Sequence, residues 1–337
     1  MLVLLVVDGN NLAWAGFHAL RRAMGAETPE ENVRAALLGL TQSVLGFAIR
    51  NGEPPTSGRP APTAQAGFAF DADGQTSRLV VCFDEGRPLR RREIYPPYQT
   101  GREGNPSFME NEPFVLKGIE QFIEMTSSLP VEVVRGANTE ADDLIAAVVT
   151  QAPENHVRIA STDRDFLQLV DERVSVFSPV KRIVIDESNF TEVTAPRSAD
   201  DVLIAFPRGR YLDYRAASGD ASDDLPGIPG VGALTAARLL VHAELDAYFE
   251  SPELAGRVLG RRNARLEASL SSSVARDAVE RNRALMDLRL AAARYPDLSS
   301  YTRRGAWDES IFRSWVTGQR IAALDLEAAC VTMRRLS

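Results

Sequence analysis

The chain has 337 residues, 45% of them apolar, with 23 Gly and 19 Pro, which suits one large or two small folded domains and excludes a disordered tail. Its formal charge of −8, from 46 acidic against 38 basic residues, argues on average against a nucleic-acid binder. Cys82 and Cys330 stand too far apart for a disulfide framework or zinc spacing, and the apolar run at 2–7 is too short for a membrane span or a signal segment, so a soluble, unprocessed protein of a reducing cytoplasm is expected.

In chain order, residues 2–7 form a strand closed by Asp8, and helical patterns follow over 10–24 and 31–50. Residues 51–78 carry four prolines between Pro54 and Pro62 and read as a surface loop, with room for a hairpin around Asp73-Gly74. Next come a strand over 79–83, a helix over 112–127, a strand over 131–134, a helix over 140–150 and a strand over 157–160. Thr139, with Asp142 three residues on, looks like a capping box for the 140–150 helix. Beyond about residue 198 the pattern is helical to the C-terminus, apart from 219–232. Alternating strands and helices predict an α/β fold with a mostly parallel central sheet flanked by helices, and a helical subdomain after it.

Acids recur where these strands end: Asp8, Asp84, then Glu140 with Asp142 and Asp143, then Asp163 with Asp165. Each has an ordinary explanation on its own, as a turn residue or helix cap. Their recurrence on one edge of one sheet, where open α/β proteins gather ligand groups, does not. Like charges within ~4 Å repel by roughly 4 kcal/mol at an effective dielectric near 20, so such a cluster recruits cations. Carboxylates without His or Cys favour Mg²⁺ or Mn²⁺, and two such ions ~3.5–4 Å apart serve phosphodiester hydrolysis. His18, His156 and His242 are scattered and read as structural or surface residues.

Two further stretches point to nucleic acid. The segment from Gly219 to Gly232 joins Asp220 and Asp223 to a Gly-Ile-Pro-Gly-Val-Gly turn ahead of a helix, where backbone N–H groups can meet a phosphate. Arg87, Arg90, Arg91, Arg92 and Arg102, against Glu93 alone, interleave with Tyr95 and Tyr98, pairing phosphate binders with stacking rings. Residues 257–294 hold nine arginines and four acids and read either as a second DNA-facing surface or as an ordinary charged helix pair.

Together these motifs resemble the flap endonuclease and 5′→3′ exonuclease family, including the nuclease domain of bacterial DNA polymerase I and phage enzymes, over roughly residues 1–295. VVDGNNLAWAGFHAL is similar to its first acidic motif and VVCFDEG to its second. NTEADDLIA with IASTDRDFLQLV looks like its central acidic pair, and SGDASDDLPGIPGVGALTAARLL like its helix-three-turn-helix segment. The resemblance implies a PIN-like 5′-nuclease core over 1–197 with a helical arch at about 85–117, a helical DNA-binding region over 198–295 containing a helix–hairpin–helix at about 219–241, and a helical C-terminal extension over 296–337.

It also implies that Asp8, Asp84, Glu140, Asp142, Asp143, Asp163, Asp165, Asp220 and Asp223 hold two or more Mg²⁺ or Mn²⁺ ions and are the catalytic acids, with Asp220 and Asp223 folding back to complete the site. Trp14 and Tyr98 match aromatic and Arg91 and Arg102 basic nucleic-acid positions, with Arg90 and Arg92 as substitutes for a missing cation and Gln99 among the DNA-facing residues. Gly227, Gly230 and Gly232 form the phosphate hairpin with Thr235 and Arg238 as its polar contacts, where the family binds a monovalent cation such as K⁺. Gln99 falls where an active-site lysine is usual, Ala15 where an arginine follows the aromatic residue, and the hairpin lacks the usual lysine after its last glycine. The expected function is a metal-dependent 5′ nuclease acting on DNA with a 5′ flap or single-stranded 5′ end, RNA-containing strands included, as a monomer without membrane contact. It would work in replication or repair in a bacterial nucleoid, or in the host cytoplasm if phage-encoded. At this length a free-standing enzyme without a polymerase is expected. A DNA-junction binding protein with weak or no catalysis and a PIN-like ribonuclease are the alternatives. With nine acids assigned to metal, the rest of the chain is close to neutral.

Overall fold

The computed structural model describes residues 2–53, 75–260, 263–321 and 323–337, so the hairpin expected around Asp73-Gly74 lies outside the described residues. The chain divides into two compact units. One comprises Met1–Pro88, Pro106–Glu187 and Ala291–Ser337, the other Leu89–Asn105 and Ser188–Leu290.

The first unit is built on a seven-stranded sheet. β1 (Leu2–Asp8) leads into α1 (Gly9–Met24) and α2 (Pro29–Ile49), then β2 (Gln75–Cys82), β3 (Glu132–Val134), β4 (His156–Ala160), β5 (Val174–Ser178) and β6 (Ile183–Ile185). The order is β6-β5-β4-β1-β2-β3, with a last strand Thr302–Arg304 beside β3. Strands β3, β2, β1, β4 and β5 are parallel neighbours, while β6 and Thr302–Arg304 run antiparallel at the two edges. Val3 to Val7 are fully buried, as a central parallel strand covered on both faces requires. The winding reverses between β1 and β4, and that junction is where an open α/β sheet leaves a crevice at the strand ends.

Local chemistry sets the helices. Thr28 and Glu31 form a reciprocal capping box with Pro29 in the first turn of α2, and Gly25, at φ +60°, ends α1 in the left-handed conformation. Gly16 of α1 meets Gly39 of α2 so closely that a Cβ on Gly39 would lie 2.5 Å from the Gly16 carbonyl carbon. The apolar side of α2 disappears into the core, where Val44, Leu45 and Phe47 join Val3, Leu5 and Val7 of β1. Helix Pro106–Thr126 packs on the same core through Val115, Ile119 and Phe122.

The second unit is helical, with helices Tyr211–Ser218, Ala233–His242 and Ser273–Met286 among its elements and a two-stranded ribbon of Gly219–Asp220 with Leu225–Pro226.

Several expected elements need correction. β2 begins at Gln75, inside the stretch read as loop, because Thr76 is buried and Gln75 to Cys82 pair continuously with β1 apart from one bulge. β5 and β6 are strands that the sequence reading omitted. The C-terminal segment is not wholly helical, since Thr302–Arg304 hydrogen-bonds to β3. Residues 85–117, read as one arch, are shared between the two units: helices Leu89–Ile94 and Thr100–Glu103 belong to the second, whereas Pro106–Thr126 belongs to the first.

Candidate functional site

In the first unit the acids at the strand ends are held by a polar network. β1 runs into α1 without a loop because Gly9 lets the Phe83 ring pack beneath it, where a Cβ would stand 2.3 Å from the ring. Asp8 is the N-cap: one carboxylate oxygen accepts from the Asn11 N–H at 3.0 Å and the other from the Ser161 hydroxyl at 2.7 Å. Asn11 then bridges to the turn after β4, accepting from the Thr162 N–H at 2.9 Å. Ser161 also accepts from the Asp163 N–H, and Asp163 in turn accepts from the Asp165 N–H at 2.7 Å. Asp84, exposed just past β2, donates its N–H to Asn10 and accepts from the Ala141 N–H at 2.7 Å.

That last contact corrects the expected cap of helix Ala141–Gln151. Thr139 turns its hydroxyl to the Ala137 carbonyl, and Asp84 supplies the acceptor from another strand end. The structural and the metal-binding explanations of these acids are therefore not exclusive. Asp8 and Asp84 act as caps through some of their lone pairs, and the caps fix the carboxylates at one sheet edge.

Burial pushes the Asp8 carboxyl up to about 7, and the neighbouring Asp84 and Asp163 charges add to it, against the hydrogen bonds from Asn11 and Ser161. A buried carboxyl strained by other carboxylates is what a divalent cation relieves, and an all-oxygen donor set suits Mg²⁺ or Mn²⁺. Cys82, paired with Asp8 across β1 and β2, is fully buried, and burial together with the Asp8 charge pushes its thiol well up, so it stays neutral and adds no sulfur ligand. Glu140 stands at the N-cap of helix Ala141–Gln151 with Asp142 half-buried in its first turn. Buried Asp143 accepts from the Arg294 guanidinium at 3.1 Å. Trp14 is half-buried and stacks on Phe108 with centroids 4.9 Å apart.

In the second unit Asp220 caps the turn Ala221–Asp223, which Asp223 ends. Burial alone would raise the Asp220 carboxyl, but hydrogen bonds from Ser222 and the Arg215 charge outweigh it and hold it below the usual range. Asp223 accepts from both Gln99 and Arg102 at 2.9 Å. The hairpin closes through Ile228 N–H to the Ala217 carbonyl, and Gly227 is required there because a Cβ would lie 2.2 Å from that oxygen. Gly230, at φ +84°, and Gly232 are exposed with open space around them, Thr235 is half-buried and Arg238 is exposed, so this turn presents backbone outward ahead of helix Ala233–His242.

The basic stretches are less open than the sequence suggests. Arg90 is exposed. Arg91 is buried and donates to the Leu285 carbonyl, and Tyr98 is 3% exposed, inside a cluster with Leu225, Leu285 and Met286, so neither presents its side chain for stacking or phosphate contact. Arg92 pairs with Glu103. Of the later arginines, Arg276 lies over Phe249, Arg281 over Tyr95, Arg283 pairs with Asp213 and Asp246, and Arg294 with Asp143. Arg283 and Arg294 thus have acid partners inside their own units, whereas Arg276 is exposed.

Sequence reasoning missed Asn10, Asn11, Ser161, Thr162 and Arg294. Two asparagines in the first turn of α1, and Ser-Thr immediately before Asp163, were the available signals; nothing local marks Arg294.

Residues 3–195 match the profile of the 5′-3′ exonuclease, N-terminal resolvase-like domain. The chain belongs to this family. DNA polymerase I of Mycobacterium bovis is 32% identical over 287 residues, covering 85% of this chain but 27% of the polymerase, so the chain spans about a quarter of that relative's length. The bacteriophage T5 D15 protein, crystallised with metal ions, superposes with a TM-score of 0.63 at 17% identity over 97% of this chain and 99% of that one. A T5 D15 flap endonuclease complex with DNA and metal ions gives 0.62 at 17% identity over 96% and 100%. The 5′-3′ exonuclease match contains Asp8, Asp84, Glu140, Asp142, Asp143, Asp163 and Asp165, whereas Asp220 and Asp223 lie beyond it.

Proposed function

We propose that this chain is a metal-dependent, structure-specific 5′ nuclease that hydrolyses DNA phosphodiesters near single-strand/double-strand junctions. The observation that carries the reading is the acid network around Asp8, whose carboxyl is pushed up to about 7 by burial and by Asp84 and Asp163. Asp8, Asp84, Glu140, Asp142, Asp143, Asp163 and Asp165 would hold the ions, and the resemblance adds Asp220 and Asp223. Two or more Mg²⁺ or Mn²⁺ ions would supply charge neutralisation and an activated water. The protein's part is positioning: Ser161 and Asn11 orient Asp8, and Asp84 is fixed by the helix end it caps. The exposed glycines at 230 and 232 suit a duplex phosphate, with K⁺ at the same hairpin. DNA with a 5′ flap or single-stranded 5′ end is the proposed substrate, RNA-containing strands included, with the protein a monomer working in the cytoplasm of a bacterium or of a phage host.

The test is cleavage of a labelled 5′-flap substrate with Mg²⁺, Mn²⁺ or EDTA. Asp163→Asn is expected to abolish the metal-dependent product, and full activity in that variant would remove the proposed cluster. A junction-binding protein with weak catalysis is the second reading, favoured by Gln99 and Arg102 both donating to Asp223. Binding without product in either metal or EDTA would select it, and an RNA substrate run in parallel tests the ribonuclease alternative.

A further inference from the structure

The segment Leu89–Asn105 belongs to the second unit, and four hydrogen bonds tie its tip to the acidic turn there. Gln99 donates its backbone N–H to the Asp223 carbonyl at 3.2 Å and its side-chain amide to the Asp223 carboxylate at 2.9 Å. Arg102 donates to the same carboxylate oxygen, and the Gly101 N–H donates to the Asp224 carboxylate at 2.7 Å. The Gln99 amide also reaches the Tyr98 hydroxyl at 3.1 Å, and Tyr98 is buried against Leu225. Gln99 and Asp224 both hold positive φ, 55° and 57°, a conformation that non-glycine residues keep only where surrounding contacts over-determine it. Gly101 sits so near that a Cβ would stand 2.9 Å from the Asp224 carboxylate.

We propose that Gln99, Arg102, Asp223 and Asp224 form a lock that holds residues 95–102 folded on the acidic turn before nucleic acid arrives, with Gln99 serving as a positioning residue. The inference rests on the nuclease reading only in taking nucleic acid as the ligand. Four donors meet three acceptor oxygens, two of them converging on one Asp223 carboxylate oxygen, and a neutral amide at 99 anchors Asp223 without placing another cation beside it. The segment then meets DNA already ordered, so binding does not have to fold it.

Hydrogen–deuterium exchange on the full chain in EDTA tests this. Slow exchange over 95–105 is expected in the free protein, changing less than threefold when flap DNA is added. Asp223→Ala and Gln99→Met should speed exchange there at least tenfold, while β2 and the thermal melt stay unchanged as the check on folding. Asp223→Asn, which keeps the acceptor, and Gln99→Lys, which keeps a donor, should retain protection within threefold. Fast exchange in the free protein that slows tenfold or more with DNA overturns the lock, as does unchanged protection in both Asp223→Ala and Gln99→Met. Absence of flap cleavage by the protected wild-type chain would sink the nuclease reading and leave the lock standing.

Discussion

Replacing Asp8 by Asn is expected to stabilise the metal-free protein at pH 8. The Asp8 carboxyl moves from an ordinary 3.8 to about 7 in the fold, through burial first and the Asp84 and Asp163 charges after it. An acid whose folded value is raised keeps more protons in the native state than in the unfolded chain between those two values, so stability falls as pH rises through that window. At pH 8 the full penalty is about 4 kcal/mol, at 1.36 kcal/mol for each tenfold change in proton affinity. The Asn side chain keeps an oxygen for the Asn11 N–H and weakens only the hydroxyl bond from Ser161, worth roughly 1 kcal/mol. The net gain is therefore about 3 kcal/mol at pH 8 and under about 1 kcal/mol at pH 5. Thermal melts in EDTA should show the variant higher by roughly 6 °C at pH 8, with most of the gap closed at pH 5. Adding Mn²⁺ should raise the wild-type protein and move the variant little. A variant that melts at or below the wild-type temperature in EDTA at pH 8 would refute the reasoning, because Asp8 would then not be a strained acid awaiting a cation.

Gly39→Ala drives a Cβ against the Gly16 backbone at 2.5 Å and should cost about 3 kcal/mol in urea unfolding, with no change in metal binding. Arg294→Met removes the cation beside buried Asp143, and should lower metal-free stability by about 1–3 kcal/mol while tightening Mn²⁺ binding in calorimetry, since an ion no longer competes with the guanidinium. Unchanged Mn²⁺ affinity would show that Asp143 takes no part in holding an ion.

The parallel strands β1, β3 and β4 were legible because each is a short run rich in β-branched residues that stops at an acid or a turn. β6 is three residues long and Thr302–Arg304 is polar, and such strands exist only because a neighbour offers a free row of backbone groups. The start of β2 was hidden for a related reason: Thr76 and Ser77 look like loop, and continuous pairing to β1 overrides that preference. At the site, the acids could be read from their places at strand ends, but their partners could not. The Asp84 cap of a helix 57 residues later, and the Arg294 contact 151 residues from Asp143, depend on topology rather than spacing. Tyr98 shows the converse, since an aromatic among arginines suggests stacking on a base, and here the ring serves as a core residue.

Strand Thr302–Arg304 has a practical consequence for anyone shortening this chain. It covers the outer side of β3, pairing Glu132 with Arg304 and Val134 with Thr302, and Gly305 follows so tightly that a Cβ there would lie 1.9 Å from the Thr126 carbonyl oxygen. Cutting at 295, where the motif resemblance stops, would strip that cover and leave β3 as an open template for strands of other molecules. A trimmed fragment designed from the motifs alone should therefore self-associate, and domain-swapping experiments or crystallisation trials with this chain should keep the tail.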